Sequence, residues 1–249
     1  MKNIVYIGID DTDMLGEKPG TGRVARELAQ ELVARGLGEP LGVTRHQLLV
    51  DPRIPYTSHN SSLCIALQGT GEVPDFVELC SDYLIMHSKQ GADPGLCICS
   101  ALSFDEEMAE FGWQATRVVL YKSQAQELAL KKGIVLKELG GTGGGIIGAL
   151  AGVSLRAEGN QGRFVELAGI RDITGTVSAG DILSRTAISA VEDEQGREVP
   201  AGTRIESYDW IRPSLVGGRA VLRIKPVAGN EHLWEPVENR KDKKNTQEG

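Results

Sequence analysis

Three aspartates follow an apolar segment near the start of the chain, and their type and spacing suit metal chemistry. Asp10, Asp11 and Asp13 end the run IVYIGIDDTD, and Asp11 and Asp13 project to the same side of an extended backbone. Carboxylates a few ångströms apart raise each other's pKa unless a cation neutralises them. A hard divalent ion such as Mg²⁺ takes oxygen ligands and usually keeps waters and substrate phosphates. The pattern therefore favours a site for Mg²⁺ and a phosphate group.

A glycine-rich loop follows the aspartates and leads into a predicted helix. Gly20, Thr21 and Gly22 stand at the start of that helix, where free backbone N–H groups attract phosphate. The loop lacks the GxxxxGK[ST] pattern of a Walker A motif. A second interpretation stays open, in which one aspartate caps the helix, another forms an Asx turn and the third is solvated.

A second glycine-rich segment, GGTGGGIIGALAGV, contains two further candidates for ligand contact, Gly143 and Gly145. It matches GxGxxG, but the preceding LKELGGTG is a poor buried strand, so a dinucleotide-binding fold is not expected. Two interpretations remain. Either backbone N–H groups contact a ligand at the start of a helix, or small residues such as Gly148 and Gly152 allow close helix packing.

Alternating strand and helix patterns surround these motifs. The strand patterns cover residues 3–9, 42–50, 61–69, 96–104, 117–123, 163–170, 202–209 and 219–226. The helix patterns cover residues 23–36, 74–88, 124–133 and 146–153. The alternation predicts an α/β or α+β fold. A change of pattern near residues 111–114 predicts two domains, 1–113 and 114–237, and the charged tail 238–249 is expected to be disordered.

Composition and charge bound the function. The net charge of −7 over 249 residues counts against extended nucleic-acid binding. The sequence contains no apolar stretch of about 20 residues that could span a bilayer and no signal peptide at its start, so a cytoplasmic location is expected. The four cysteines lack zinc-ligand spacing, and Cys97 and Cys99 are expected to share one face of a buried strand.

Five motifs in a fixed order resemble one protein family. They are GIDDTD, DPRIPYTSHNSS, GADPGL, GTGGGIIGALAGVS and VELAGIRD. Together they resemble the archaeal agmatidine synthetases of isoleucine tRNA, also called 2-agmatinylcytidine synthetases. The resemblance runs from Ile7 to Lys225 and so covers most of the chain.

The resemblance implies an ATP- and Mg²⁺-binding kinase-like domain over residues 1–113 and a ferredoxin-like α+β domain over residues 114–237. It implies that Asp10, Asp11 and Asp13 bind the metal and the ATP phosphates, with Thr21 as a catalytic residue. In that family a cytidine is activated by phosphorylation and then attacked by agmatine. A nucleotide, an agmatine-like amine and tRNA are therefore the implied partners.

The sequence also departs from the family. It ends before the OB-fold and zinc-ribbon domains, so a short form is expected. A Cys-Thr-Thr run is replaced by residues 19–23 (PGTGR), a Lys-Thr-Arg-Gly-Asn run by residues 57–61 (TSHNS), and an arginine by Gly144. Loss of these cations weakens the case for tRNA as substrate.

Three functions remain compatible with the sequence. The first is a Mg²⁺- and ATP-dependent phosphoryl-transfer or ligase-like enzyme that activates a nucleotide or small-molecule acceptor for attack by an amine. The second is a tRNA-modifying agmatidine synthetase that acts with a separate tRNA-binding partner. The third is a non-catalytic nucleotide-binding module with a regulatory role.

Overall fold

The computed structural model describes residues 4–14, 16, 19–54, 60–69, 72–208 and 210–237. The described α-helices are α1 (Thr21–Ala34), α2 (Val73–His87), α3 (Glu106–Ala115), α4 (Lys122–Lys132), α5 (Gly145–Glu158) and α6 (Ala179–Arg185). The described strands are β1 (Ile4–Asp10), β2 (Gly38–Gln47), β3 (Ser61–Gly69), β4 (Gly95–Ser100), β5 (Val135–Glu138), β6 (Arg163–Glu166), β7 (Thr176–Ser178), β8 (Ala190–Glu192), β9 (Arg204–Glu206), β10 (Ser214–Val216), β11 (Arg219–Val227) and β12 (Asn230–Pro236). This mixture confirms the predicted α/β class. The predicted disordered tail, 238–249, lies outside the described residues.

Two compact units divide the chain, residues 1–165 and residues 166–249. The boundary expected at position 113 falls inside α3 instead, within the first unit. The physical reason is that the next segments complete the first sheet. Strand β5 pairs with β4, with Leu136 opposite Cys97, and α5 packs against β1 and β4.

The sheet of the first unit is antiparallel, and the first strand of the chain lies at its centre. The strand order is β5-β4-β1-β3-β2. Ile7 of β1 pairs with a β3 residue on one side and a β4 residue on the other, Ile65 and Ile98. Because both neighbours are antiparallel, the carboxyl end of β1 lies beside the starts of β3 and β4. The loop that precedes β4 therefore reaches the same edge as the aspartates.

Each face of this sheet is covered by helices. One core cluster joins β1 to α1 and α2 and includes Ile7, Leu28 and Phe76. The other joins β4 to α3, α4 and α5. Along β4, Leu96 and Ile98 belong to the first cluster and the buried free thiols of Cys97 and Cys99 to the second, as the alternating pattern predicts.

Glycines on the strands β1 and β4 and on the helix α5 allow the helix to pack directly against the backbone of the sheet. A β-carbon on Gly8 would overlap the carbonyl oxygen of Ala149, and one on Gly95 would overlap the backbone of Gly145. A β-carbon on Gly148 would overlap the carboxylate of Asp10. The second glycine-rich segment therefore does allow close helix packing, one of its two interpretations.

The second unit is mainly β-structure. Strand β11 pairs with β10 and β12 in antiparallel fashion and with β8 in parallel. Strand β9 is parallel to β12 and antiparallel to β7. The ferredoxin-like arrangement implied by the family resemblance stays a prediction for this unit. Across both units, the described helices include none whose length and apolar character would allow it to cross a membrane.

The substitution Gly8→Ala is expected to destabilise the first unit, because its methyl group would push α5 away from β1. We expect a loss of about 2 kcal/mol in the free energy of unfolding, the usual scale for overpacking a core, measured by urea denaturation. Gly22→Ala is the control, since a β-carbon there meets no atom within 4 Å and alanine favours helix. Unchanged stability of Gly8→Ala would contradict the close contact.

Candidate functional site

The structure brings the three predicted aspartates together at one edge of the first sheet. Asp10 is the last residue of β1. Asp11 has a left-handed backbone with φ of 53°, a conformation that aspartate and asparagine tolerate better than most residues. This turn takes the chain out of the sheet, and all three side chains are half-buried.

Burial and mutual repulsion both disfavour the charged forms of the aspartates. Burial raises the pKa of Asp10 well above its usual range, and the charges of Asp11 and Asp13 raise it further. Burial also raises the pKa of Asp11 to about 6, with the charges of Asp93 and Asp13 adding to the effect. A cation among these groups would relieve the repulsion, so the donor set fits the chemistry of a hard divalent metal.

Asp13 and Thr21 connect the end of β1 to the start of α1. The N–H of Thr21 donates to Asp13 Oδ2 at 3.1 Å, so Asp13 supplies a cap that Gly20 at the N-cap position cannot. The buried Thr21 hydroxyl accepts a hydrogen bond from the Thr12 hydroxyl at 3.1 Å. The N–H of Gly22 has no acceptor in the part of the chain that the structure describes. Its N–H could donate to a bound anion, and phosphate contact by residues 20–22 stays a prediction.

A fourth carboxylate, Asp93, holds the second glycine-rich segment. Its Oδ1 accepts from the Gly143 N–H at 2.5 Å, and its Oδ2 accepts from the Gly144 N–H at 3.0 Å and the Thr142 hydroxyl at 2.5 Å. The Gly143 amide is thus bound to a protein carboxylate, and Gly145 packs its backbone against β4. Ligand contact by these two glycines stays a prediction.

Two residues of this edge were not predicted from the sequence. Asp93 belongs to the GADPGL motif, and its N–H donates to the carbonyl oxygen of Asp11 at 3.1 Å. Arg45 on β2 donates from Nε to Ser61 Oγ at 2.8 Å, and its guanidinium lies within the electrostatic reach of Asp13. The GADPGL motif could have pointed to Asp93 from the sequence alone. No sequence motif points to Arg45, because its position depends on the pairing of β2 with β3.

The described side chains do not form a ready-made set of metal ligands. Within the described ranges, the structure contains no group of three or more His, Cys, Asp or Glu side chains that could hold a metal ion. Residues 57–59, which replace cations of the related family, lie outside those ranges.

The fold is similar to that of the tRNA agmatidine synthetases. Two of the similar solved structures are complexes of TiaS, the agmatidine synthetase of an isoleucine tRNA. Its complex with that tRNA and ATP is 30% identical over 61% of this chain and 36% of the TiaS chain, with a TM-score of 0.50. Its complex with the tRNA, AMPCPP and agmatine is 27% identical over 60% of this chain and 36% of TiaS, with a TM-score of 0.51.

These matches confirm the resemblance to the agmatidine synthetases that was inferred from the five motifs. The chain spans 36% of the length of TiaS. No protein-family model and no curated protein sequence matches the chain.

The substitution Asp11→Asn is expected to stabilise the protein at pH 7 in the absence of divalent metal. It removes a repelled, half-buried charge and keeps a residue suited to the left-handed backbone. After allowance for solvent screening, we expect a gain of about 1 kcal/mol in the free energy of unfolding, measured by urea denaturation with a chelator.

The pH dependence follows from the raised pKa of Asp11. Because the folded-state pKa is about 6, the wild-type carboxyl becomes protonated as the pH falls below that value, and the advantage of the variant should shrink. Glu107→Gln is the control: Lys131 holds the pKa of Glu107 below its usual value, so this change should give no gain. A destabilised Asp11→Asn at pH 7 would contradict the repulsion.

Proposed function

We propose that the chain is an ATP-dependent enzyme related to the agmatidine synthetases, which activates a nucleotide or small-molecule acceptor for attack by an amine. The observation that carries the proposal is the cluster of carboxylates at the end of β1. It occurs in a fold similar to TiaS structures that contain ATP, or AMPCPP and agmatine.

In this proposal Asp10 and Asp11 are the ligands of Mg²⁺. Asp13 and Asp93 already accept hydrogen bonds from backbone N–H groups. Among the described residues, no side chain donates a hydrogen bond to the carboxylate of Asp10 or Asp11. When bound, Mg²⁺ would supply positive charge that offsets the phosphate oxygens.

The start of α1 receives the phosphate in this proposal. The start of the helix consists of Gly20, Thr21 and Gly22. The free Gly22 N–H lies at the positive end of the helix dipole. The buried hydroxyl of Thr21 keeps the strand end and the helix start in register. Phosphoryl transfer depends mainly on positioning and charge neutralisation, which these backbone groups and a metal together provide.

The start of α5, at Gly143 to Gly145, borders the acceptor in this proposal. It lies beside the aspartates because Gly148 contacts Asp10 and Asp93 joins the two loops. The acceptor is a nucleotide or small molecule, and the attacking group is an agmatine-like amine.

Action on tRNA through a separate tRNA-binding partner is the second candidate function. The observation that favours it is that both TiaS complexes contain the isoleucine tRNA. The net charge of −7 argues that the partner would supply most of the phosphate contacts. Affinity of this chain for that tRNA that falls steeply with salt would show that it makes phosphate contacts of its own. No binding at low salt would leave tRNA recognition to the partner.

The main test of the proposed function is calorimetric titration with ATP in the presence and absence of MgCl₂. We expect wild-type protein to bind ATP only with Mg²⁺, and Asp11→Asn to lose at least about tenfold in affinity, the scale of one lost charged contact. Glu107→Gln, a carboxylate-to-amide change on α3, should bind as wild type does. A wild-type protein that binds no nucleotide with Mg²⁺, Mn²⁺ or Ca²⁺ would refute the proposal.

A further inference from the structure

We infer that Asp93 is a positioning residue, whose carboxylate fixes residues 142–144 (the glycine loop) beside the aspartates at the end of β1. The inference deepens the proposed function and rests on it for the identity of the ligand. Asp93 itself contacts the protein rather than the nucleotide. Its effect on binding is exerted through the glycine loop and the backbone of Asp11.

The first observation is that three donors converge on one side chain. Both carboxylate oxygens of Asp93 are used, by the N–H groups of Gly143 and Gly144 and by the hydroxyl of Thr142, at 2.5 to 3.0 Å. Successive backbone N–H groups in a turn form a concave anion-binding site. Asp93 fills that concavity from inside the protein, and hydrogen bonds to a charged acceptor are among the stronger ones.

The second observation is that the backbone of Asp93 is tied to β1. Its N–H donates to the carbonyl oxygen of Asp11 at 3.1 Å. The next residue, Pro94, accepts a hydrogen bond from the N–H of Leu139 at 2.9 Å. One residue therefore holds the proposed metal ligand through its backbone and the glycine loop through its side chain, so a change in its position would alter both.

A competing role is that Asp93 merely occupies a phosphate site and leaves when a nucleotide arrives. The packing argues against it. A β-carbon on Gly145 would overlap the carbonyl oxygen of Asp93, and one on Gly141 would lie 2.8 Å from Asp93 Oδ1. The close packing at Gly145 involves the main chain of Asp93, which the hydrogen bond to the Asp11 carbonyl oxygen also holds, so Asp93 is fixed in the protein rather than free to leave. The two roles also predict opposite effects of neutralising Asp93, since removal of a competing anion would strengthen nucleotide binding.

The test is calorimetric titration of Asp93→Asn with ATP and MgCl₂. The amide adds a donor that faces the N–H groups of the glycine loop, so we expect about tenfold weaker binding than wild type, the scale of one lost charged hydrogen bond. The matched control is Asp105→Asn. Asp105 caps α3 in the same unit by accepting from the N–H of Met108 at 3.1 Å. Asparagine caps helices about as well as aspartate, so Asp105→Asn should leave the affinity unchanged. Binding by Asp93→Asn as tight as wild type, or tighter, would overturn the inference.

A second readout separates this inference from the proposed function. Hydrogen exchange at the N–H groups of Gly143 and Gly144 should become faster in Asp93→Asn and stay unchanged in Asp105→Asn, whether or not ATP binds. If wild type binds no ATP, the proposed function fails, and the exchange measurement still tests Asp93. Should Asp93→Asn not fold, Thr142→Val removes one of the three donors and keeps the charge. Equal exchange in the folded variant and wild type would refute the positioning role.

Discussion

The first unit depends on one contact, the backbone-to-backbone packing of α5 on β1 and β4. Gly8 and Gly95 on the strands, with Gly145 on the helix, remove the side chains that would otherwise separate the elements. This contact closes the second core of the sheet. It also sets the start of α5 beside Asp10. The geometry of the candidate site is therefore a consequence of core packing, and a substitution in the buried interface would disturb both.

The four carboxylates at this edge of the sheet fall into two pairs with different surroundings. Helices α1 and α5 begin at this edge, and backbone N–H groups at their starts donate to Asp13 and Asp93. Those two carboxylates serve the structure. Burial raises the pKa of the other two, Asp10 and Asp11. The cluster thus contains one pair that orders the loops and one pair whose charge is left for a cation to neutralise.

Sequence reasoning predicted the elements with strong periodicity, such as β1, α1 and α5, and the position of the three aspartates just after the first strand. It was wrong about a strand at 117–123, where the N–H of Tyr121 donates to the side chain of Gln124 and α4 begins. It missed β5, an edge strand whose last two residues are exposed and polar. Arg45 was missed because the pairing of β2 with β3 positions it. Asp93 was missed although the GADPGL motif contains it, because its contact with the glycine loop joins distant parts of the chain. The predicted alternation of strands and helices did not specify strand direction, and the sheet that carries the aspartates is antiparallel.

The central position of β1 also sets an order of events during synthesis of the chain. β1 leaves the ribosome before its two partners, which begin only at Ser61 and Gly95. One edge can pair once β3 has emerged, but the other stays unpaired until β4 follows. The helix that packs closely on β1, α5, is complete only at Glu158. Such non-local pairing slows folding and prolongs exposure of apolar strands. The first unit therefore acquires its structure late, when nearly all of its residues are available at once.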